Sequence, residues 1–175
     1  THRHFDHVRD LLSLGLYSMQ NSKTIDVYGI PDTLVALTKN LMNGELYPDF
    51  TQRPTLECPT FNLKPIEFEQ EFSVSGFTVK AISVPHNVPA AGFVLRSPTG
   101  EVAAFSGDTG GGLVPFFTNA RKPDVLITEV TYPNMGRNVA QAQGHLCPDL
   151  LNDQLLMARN QGYLIPDVIV THMDQ

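Results

Sequence analysis

The stretch Thr1-His2-Arg3-His4-Phe5-Asp6-His7 constrains this chain more than any other. Three imidazoles and one carboxylate fall between positions 2 and 7. Such side chains are borderline-to-hard ligands that suit zinc, manganese or iron. In an extended segment His2 and His4, two positions apart, leave the backbone on the same side. Asp6 and His7 are adjacent and cannot both join that pair. The simplest arrangement is two metals, one held by His2 and His4 and the other by Asp6 and His7. The alternative is a solvated polar tail, and the rest of the chain decides between the two.

Composition narrows the field. The chain has 175 residues, 42% of them hydrophobic and 17% charged, which suits one ordinary core and a single domain over 1–175. Twelve Lys and Arg stand against 18 Asp and Glu, a net charge of −6. That balance provides no basic footprint for a nucleic-acid backbone. An acidic protein still binds an anionic substrate if metals supply the local positive charge. Cys58 and Cys147 form neither a disulfide framework nor a Cys-x-x-Cys zinc site. No apolar run of about 18 residues is present to span a membrane.

Taken in order, the chain alternates helical and extended patterns. Apolar spacing predicts a helix over 6–19, a strand over Thr24–Tyr28 and a helix from Asp32 to Met42. Residues 45–64, with Pro48, Pro54 and Pro59, read as an irregular excursion or lid. Two hairpins are expected next. One joins Pro65–Val74 to Phe77–Val84 at Ser75-Gly76, and the other joins Gly92–Arg96 to Glu101–Phe105 at Ser97–Gly100. A short helix follows Gly110-Gly111-Gly112 through Asn119, then a buried strand over Asp124–Val130 and a loop from Thr131 to Gln143. Pro148 opens a helix to Asn160, and Asp167–Thr171 reads as another buried strand. This order suits an α/β sandwich rather than a doubly wound sheet.

The remaining ligand-type side chains sit where expected elements end or begin. His86 follows the strand ending at Val84, Asp108 lies in Ser106-Gly107-Asp108-Thr109-Gly110, and His172 follows Thr171. His145 precedes a helix, and Glu129 lies at the end of a strand. Strand ends hold side chains on rigid backbone, as a metal site needs. Gly107 and Gly110 would let the intervening chain turn tightly.

Together, His2-x-His4-x-Asp6-His7, His86, Asp108 and His172 resemble the metallo-β-lactamase superfamily. The segments Asn43 to Thr51, Val84-Pro85-His86, Phe105 to Gly110, Leu126 to Val130, Gly144 to Pro148 and Val170-Thr171-His172 look most like class II cyclic-nucleotide phosphodiesterases. They are weaker echoes of ribonuclease Z. Met173-Asp174 departs from the apolar residue and Lys more usual in the phosphodiesterases.

The resemblance implies a four-layer αββα sandwich, here a fragment lacking its first strands. It implies that His2, His4 and His86 bind one metal, that Asp6, His7 and His172 bind a second, and that Asp108 bridges. Zinc is the expected ion, with manganese or iron as alternatives. Metals about 3.5–4 Å apart can share a water and lower its pKa towards about 7, giving a hydroxide that attacks phosphorus. Asp6, His145 and Glu129 form the expected catalytic set. His145 protonates the leaving oxygen, while Glu129 orients it and favours its protonated form. Tyr47 and Phe50 could stack on a base, with core packing the rival role for Phe50.

The expected activity is hydrolysis of 3',5'-cyclic nucleotides, a small-molecule phosphodiester. The rivals are ribonuclease Z-like tRNA cleavage, lactone or thioester hydrolysis, and a metal-binding or ligand-binding member of the fold with weak or no catalysis. A homodimer stays open, and the cytoplasm is the expected compartment, with the periplasm as the alternative.

Overall fold

The computed structural model describes residues 1–118 and 122–173. Their contacts gather into two compact units, Thr1–Ile66 and the chain from Glu67 onward.

The first unit begins with helix α1, Phe5–Gln20, with His4 as its extended N-cap residue and Asp6 in its first turn. A carboxylate is favourable there because unpaired amide groups make the helix N-terminus electropositive. Strand β1, Ile25–Gly29, pairs in parallel with β2, Phe61–Pro65, in the register Ile25 to Phe61. The β2 strand corrects the irregular excursion expected over 45–64, because the chain from Phe61 pairs back with β1. Residues 45–60 form no helix or strand.

The expected helix from Asp32 to Met42 divides into α2, Pro31–Ala36, and a π-helical turn, Leu37–Leu41. The Met42 amide donates to the Leu37 carbonyl at 2.8 Å, and this wider turn accompanies burial of both side chains. They pack with Val8, Leu12, Leu34, Phe50 and Phe61 in the core of the unit.

The second unit is built on a six-stranded sheet in plain sequence order: β3 (Glu71–Val74), β4 (Phe77–Val84), β5 (Ala90–Arg96), β6 (Val102–Phe105), β7 (Val125–Glu129) and β8 (Asp167–Thr171). The β3–β4 and β5–β6 hairpins turn where the sequence places them. Neighbours from β3 to β6 are antiparallel, and β6, β7 and β8 are parallel. It follows that β4, β6, β7 and β8 all run the same way. Their C-terminal ends share one edge of the sheet.

Strand β8 is not the buried strand its apolar sequence suggests. It is the last strand of the sheet, and Ile169 is 53% exposed. A 3₁₀ helix spans Val114–Phe117, and the expected helix end at Asn119 lies outside the described residues.

The loop expected from Thr131 to Gln143 instead carries a 3₁₀ turn, Asn134–Gly136, and helix α3, Arg137–Gln143. Helix α3 is short and only Ala140 is buried, so no apolar period announces it. Polar contacts hold it to α4, Pro148–Asn160. Asn134 exchanges hydrogen bonds of 2.8 and 2.9 Å with Asp149, and Arg137 pairs with Asp153 at 2.7 Å. The Asp153 carboxylate raises the Arg137 guanidinium above its ordinary pKa.

One contact in the first unit is tight enough to predict from. Gly15 lies in the middle of α1, and a Cβ built there would come within 2.4 Å of the Phe50 ring. That ring is fully buried and packs edge-on against Phe61 at 5.2 Å, so it cannot retreat. Gly15→Ala gains about 1 kcal/mol of helix propensity. Overpacking opposes this by about 1–3 kcal/mol. Net destabilisation is expected, larger for Gly15→Val, and a urea midpoint at or above that of the parent chain would contradict it.

Candidate metal centre

The common sheet edge collects the functional groups of the second unit. Asp108 leaves β6, Glu129 ends β7, His172 follows β8 and His86 follows β4 by two residues. His145 arrives from the turn between α3 and α4. Its ring lies 4.9 Å from that of His86 and 5.9 Å from that of His172, where the two are stacked. One ligand-type atom each from Asp108, Glu129 and His145 lie within 4.8 Å of one another.

Hydrogen bonds fix how these imidazoles present themselves. His86 donates from Nδ1 to the Gly144 carbonyl at 2.8 Å. His145 donates from Nδ1 to Glu129 Oε1 at 2.7 Å. The Nδ1 of His172 lies 3.0 Å from Thr131 Oγ1. A proton held on Nδ1 leaves the lone pair on Nε2, the arrangement used by metal-binding histidines backed by an acceptor. His172 Nε2 faces Asp108 Oδ1 at 3.7 Å. Asp108 is only 3% exposed, and a carboxylate at that depth needs positive charge or donors near it.

Glu129 has a different role. It is 1% exposed, and both its oxygens are engaged. Oε1 accepts from the Thr109 amide and His145 Nδ1, and Oε2 accepts from the Thr131 amide, Thr131 Oγ1 and the Leu146 amide. A carboxylate so occupied is an anchor for the loops around it rather than a further metal ligand.

Glycines bring those loops together. Gly144 has φ +70°, and an added Cβ would lie 3.0 Å from the His86 backbone. A Cβ on Gly110 would lie 3.1 Å from Gly144, and the Gly110 amide donates to the Pro85 carbonyl at 2.7 Å. Gly107 turns at φ +61° as its position suggests, whereas Gly110 is required for close approach. His172 itself holds φ +53°, a costly conformation for a residue with a side chain.

The first unit carries the opening motif. His2 is fully buried, and its ring meets that of His4 edge-on at 4.5 Å, on the same side as the spacing predicts. His2 Nε2 and His4 Nδ1 approach to 2.8 Å, a separation that needs a proton or a cation between the lone pairs. His7 tilts against His2 with centroids 4.2 Å apart, and its Nε2 lies 3.3 Å from Asp6 Oδ2. Thr1 Oγ1 stands 3.1 Å from His2 Nδ1 and 3.3 Å from His7 Nδ1. Arg3, between two ligand candidates, turns outward to Asp32 at 2.5 Å.

Each unit therefore offers convergent imidazole nitrogens beside a carboxylate, and the second nitrogen of His2, His7, His86, His145 and His172 is backed by a hydroxyl, carbonyl or carboxylate. This donor set fits divalent zinc, manganese or iron.

Sequence reasoning singled out the side chains but not their supports. Thr1, Thr131, the Thr109 amide and the Gly144 carbonyl went unmarked. Only Thr131 left a trace, two residues after Glu129 and so on the same side of an extended chain.

Of the two aromatic candidates, Phe50 is wholly enclosed in its core and offers no face to a ligand, so packing is its role. Tyr47 is half-buried and lines an open cleft of about 720 Å³ with Asn43, Pro48, Gln52 and Arg53. Among the described residues no helix is long and apolar enough to cross a membrane.

A family model described as the beta-lactamase superfamily domain matches residues 1–173. A 3',5'-cyclic-nucleotide phosphodiesterase of Aliivibrio fischeri is 26% identical over 173 residues, covering 89% of this chain and 51% of its own length. The 3',5'-cyclic-nucleotide phosphodiesterase 1 of Saccharomyces cerevisiae is 30% identical over 90 residues, covering 50% of this chain and 24% of its own. The chain thus spans about half the length of one curated relative and a quarter of the other. Unliganded yeast PDE1 superposes with a TM-score of 0.83 at 22% identity, over 100% of this chain and 56% of that one. The short form of human tRNase Z gives 0.64 at 25% identity, over 100% and 71%. The fold is that of the metallo-β-lactamases.

The Gly144 contact yields a test independent of substrate. Gly144→Ala strains a left-handed residue by about 1–3 kcal/mol. It also pushes against the His86 backbone. Thermal unfolding should shift downward and zinc affinity should fall, both read on purified protein, and retention of both would mean that this approach is not tight in solution.

Proposed function

The chain belongs to the beta-lactamase superfamily, and on that premise we propose that it is a metal-dependent phosphodiesterase that hydrolyses 3',5'-cyclic nucleotides to 5'-nucleotides. In this reading both ligand sets serve the same reaction. His2, His4 and His86 would hold one divalent ion, Asp6, His7 and His172 would hold a second, and Asp108 would add a further carboxylate ligand. One family model runs through both sets, which supports assigning them to one activity. Such ions supply positive charge to phosphoryl oxygens and an acidified water at neutral pH. Zinc is the first choice on ligand chemistry, with manganese or iron close behind.

The observation that carries the reading is the Glu129–His145 pair. Glu129 Oε1 holds His145 Nδ1 at 2.7 Å, and four further donors hold Glu129 still. His145 then keeps its orientation through a reaction and presents Nε2 beside the rings of His86 and His172. A proton on Nε2 is placed for a departing alkoxide, which a phosphodiester releases and which leaves poorly unprotonated. Carboxylic esters and thioesters need this help less. Two curated relatives named as cyclic-nucleotide phosphodiesterases support the substrate class. Tyr47, at its open cleft, remains a candidate to stack on the base. A small diffusible substrate and the cytoplasm as working compartment belong to the same proposal.

A ribonuclease Z-like activity is the second reading, favoured by the likeness to human tRNase Z. The net charge of −6 stands against it. RNA binding should weaken steeply with salt, whereas cyclic-nucleotide turnover should respond little.

Hydrolysis of cyclic AMP and cyclic GMP should be lost with chelator and return with zinc or manganese. Cleavage of a precursor tRNA alone would overturn the substrate assignment. Glu129→Gln should lower kcat about 100-fold, within the range of general acid catalysis, while metal content stays constant. An unchanged rate removes Glu129 from the mechanism. Asp108→Ala should lose most activity together with at least one equivalent of metal. Full activity with both metals retained would defeat the two-metal scheme.

A further inference from the structure

The hydroxyl of Thr131 stands at the meeting point of two histidines assigned different work. Thr131 Oγ1 lies 2.6 Å from Glu129 Oε2, 3.0 Å from His172 Nδ1 and 3.2 Å from His145 Nδ1. A hydroxyl has one proton and two lone pairs. An ionised Glu129 can only accept, so the Thr131 proton points to it. Both lone pairs of Thr131 then face imidazole nitrogens. The stronger claim is that of His172, because His145 Nδ1 already has Glu129 Oε1 at 2.7 Å. His172 must therefore carry its proton on Nδ1, which turns its Nε2 lone pair towards Asp108. The backbone of His172 is left-handed and unfavourable on its own, so a side-chain tether has strain to hold.

We infer that Thr131 is a positioning residue that selects the metal-binding tautomer of His172 and ties that ring, through Glu129, to His145. The inference rests on the reading of His172 as a ligand and His145 as the acid. Its chemistry is local: no bond forms or breaks at Thr131, and it transfers no proton. The ring that holds an ion and the ring that gives up a proton are thereby set by one hydroxyl, so loosening it should disturb both.

Thr131→Val keeps the shape and the backbone amide that donates to Glu129, but removes the hydroxyl. Thr131→Ser keeps the hydroxyl. Zinc itself is the probe, titrated against a chromophoric chelator. Loss of an outer-shell partner costs about 10–100-fold in metal affinity, and that loss is expected for one of the zinc ions in Thr131→Val, with affinity restored in Thr131→Ser. Parent affinity for every zinc ion in a folded Thr131→Val protein would overturn the inference.

If the valine variant does not fold, the parent chain still decides. Long-range ¹H–¹⁵N NMR of the metal-free protein should show His172 protonated on Nδ1, and the Nε2–H tautomer would refute the assignment. Failure of the substrate proposal is distinguishable. A parent chain that binds zinc but hydrolyses no cyclic nucleotide sinks that proposal alone, because the affinity ratio and the tautomer do not involve substrate.

Discussion

A single buried carboxylate organises the strand-end edge of the second unit. Glu129 draws hydrogen bonds from the loop after β6, from Thr131 two residues after β7 and from the turn before α4. Burying a carboxylate without partners would cost several kcal/mol. With five donors it is satisfied, and the same bonds that satisfy it fix the loops on which the neighbouring groups ride. The price of the charge and the rigidity of the site are therefore one quantity seen from two sides.

The sheet makes that convergence achievable. Because β4, β6, β7 and β8 run in one direction, groups widely separated in sequence leave the sheet at the same rim. Ligands of open α/β sheets lie at the carboxyl ends of the strands for the same topological reason. Glycine then removes the last obstacle, since Gly110 and Gly144 let three chain segments pack backbone to backbone.

Much of this was legible in the sequence, though unevenly. The opening motif, the strand-end histidines and Asp108 could be read because ligand chemistry tolerates few side chains at fixed spacing. Helix α1 and the two hairpin turns were legible from periodicity and turn residues. Strand β2 was not, because a parallel pairing leaves no local turn signal and Phe61 finds its partner 36 positions earlier, at Ile25. Helix α3 escaped because Asn134 and Arg137 hold it through α4, not through an apolar face. The exposure of β8 follows from its place at the end of the sheet, which its Val-Ile-Val sequence does not reveal. Thr131 escaped for a related reason. A hydroxyl has no signature until the groups it joins are brought together.

The interlocked loops at the sheet edge also bear on how such a chain can diversify. Pro85, Gly110, Gly144 and Glu129 pin each segment to its neighbour. An insertion in any one of them would be felt by the others. Variation in the preferred molecule would then be easier to accommodate elsewhere, and the exposed positions 52–58, which form no helix or strand, are open ground for it.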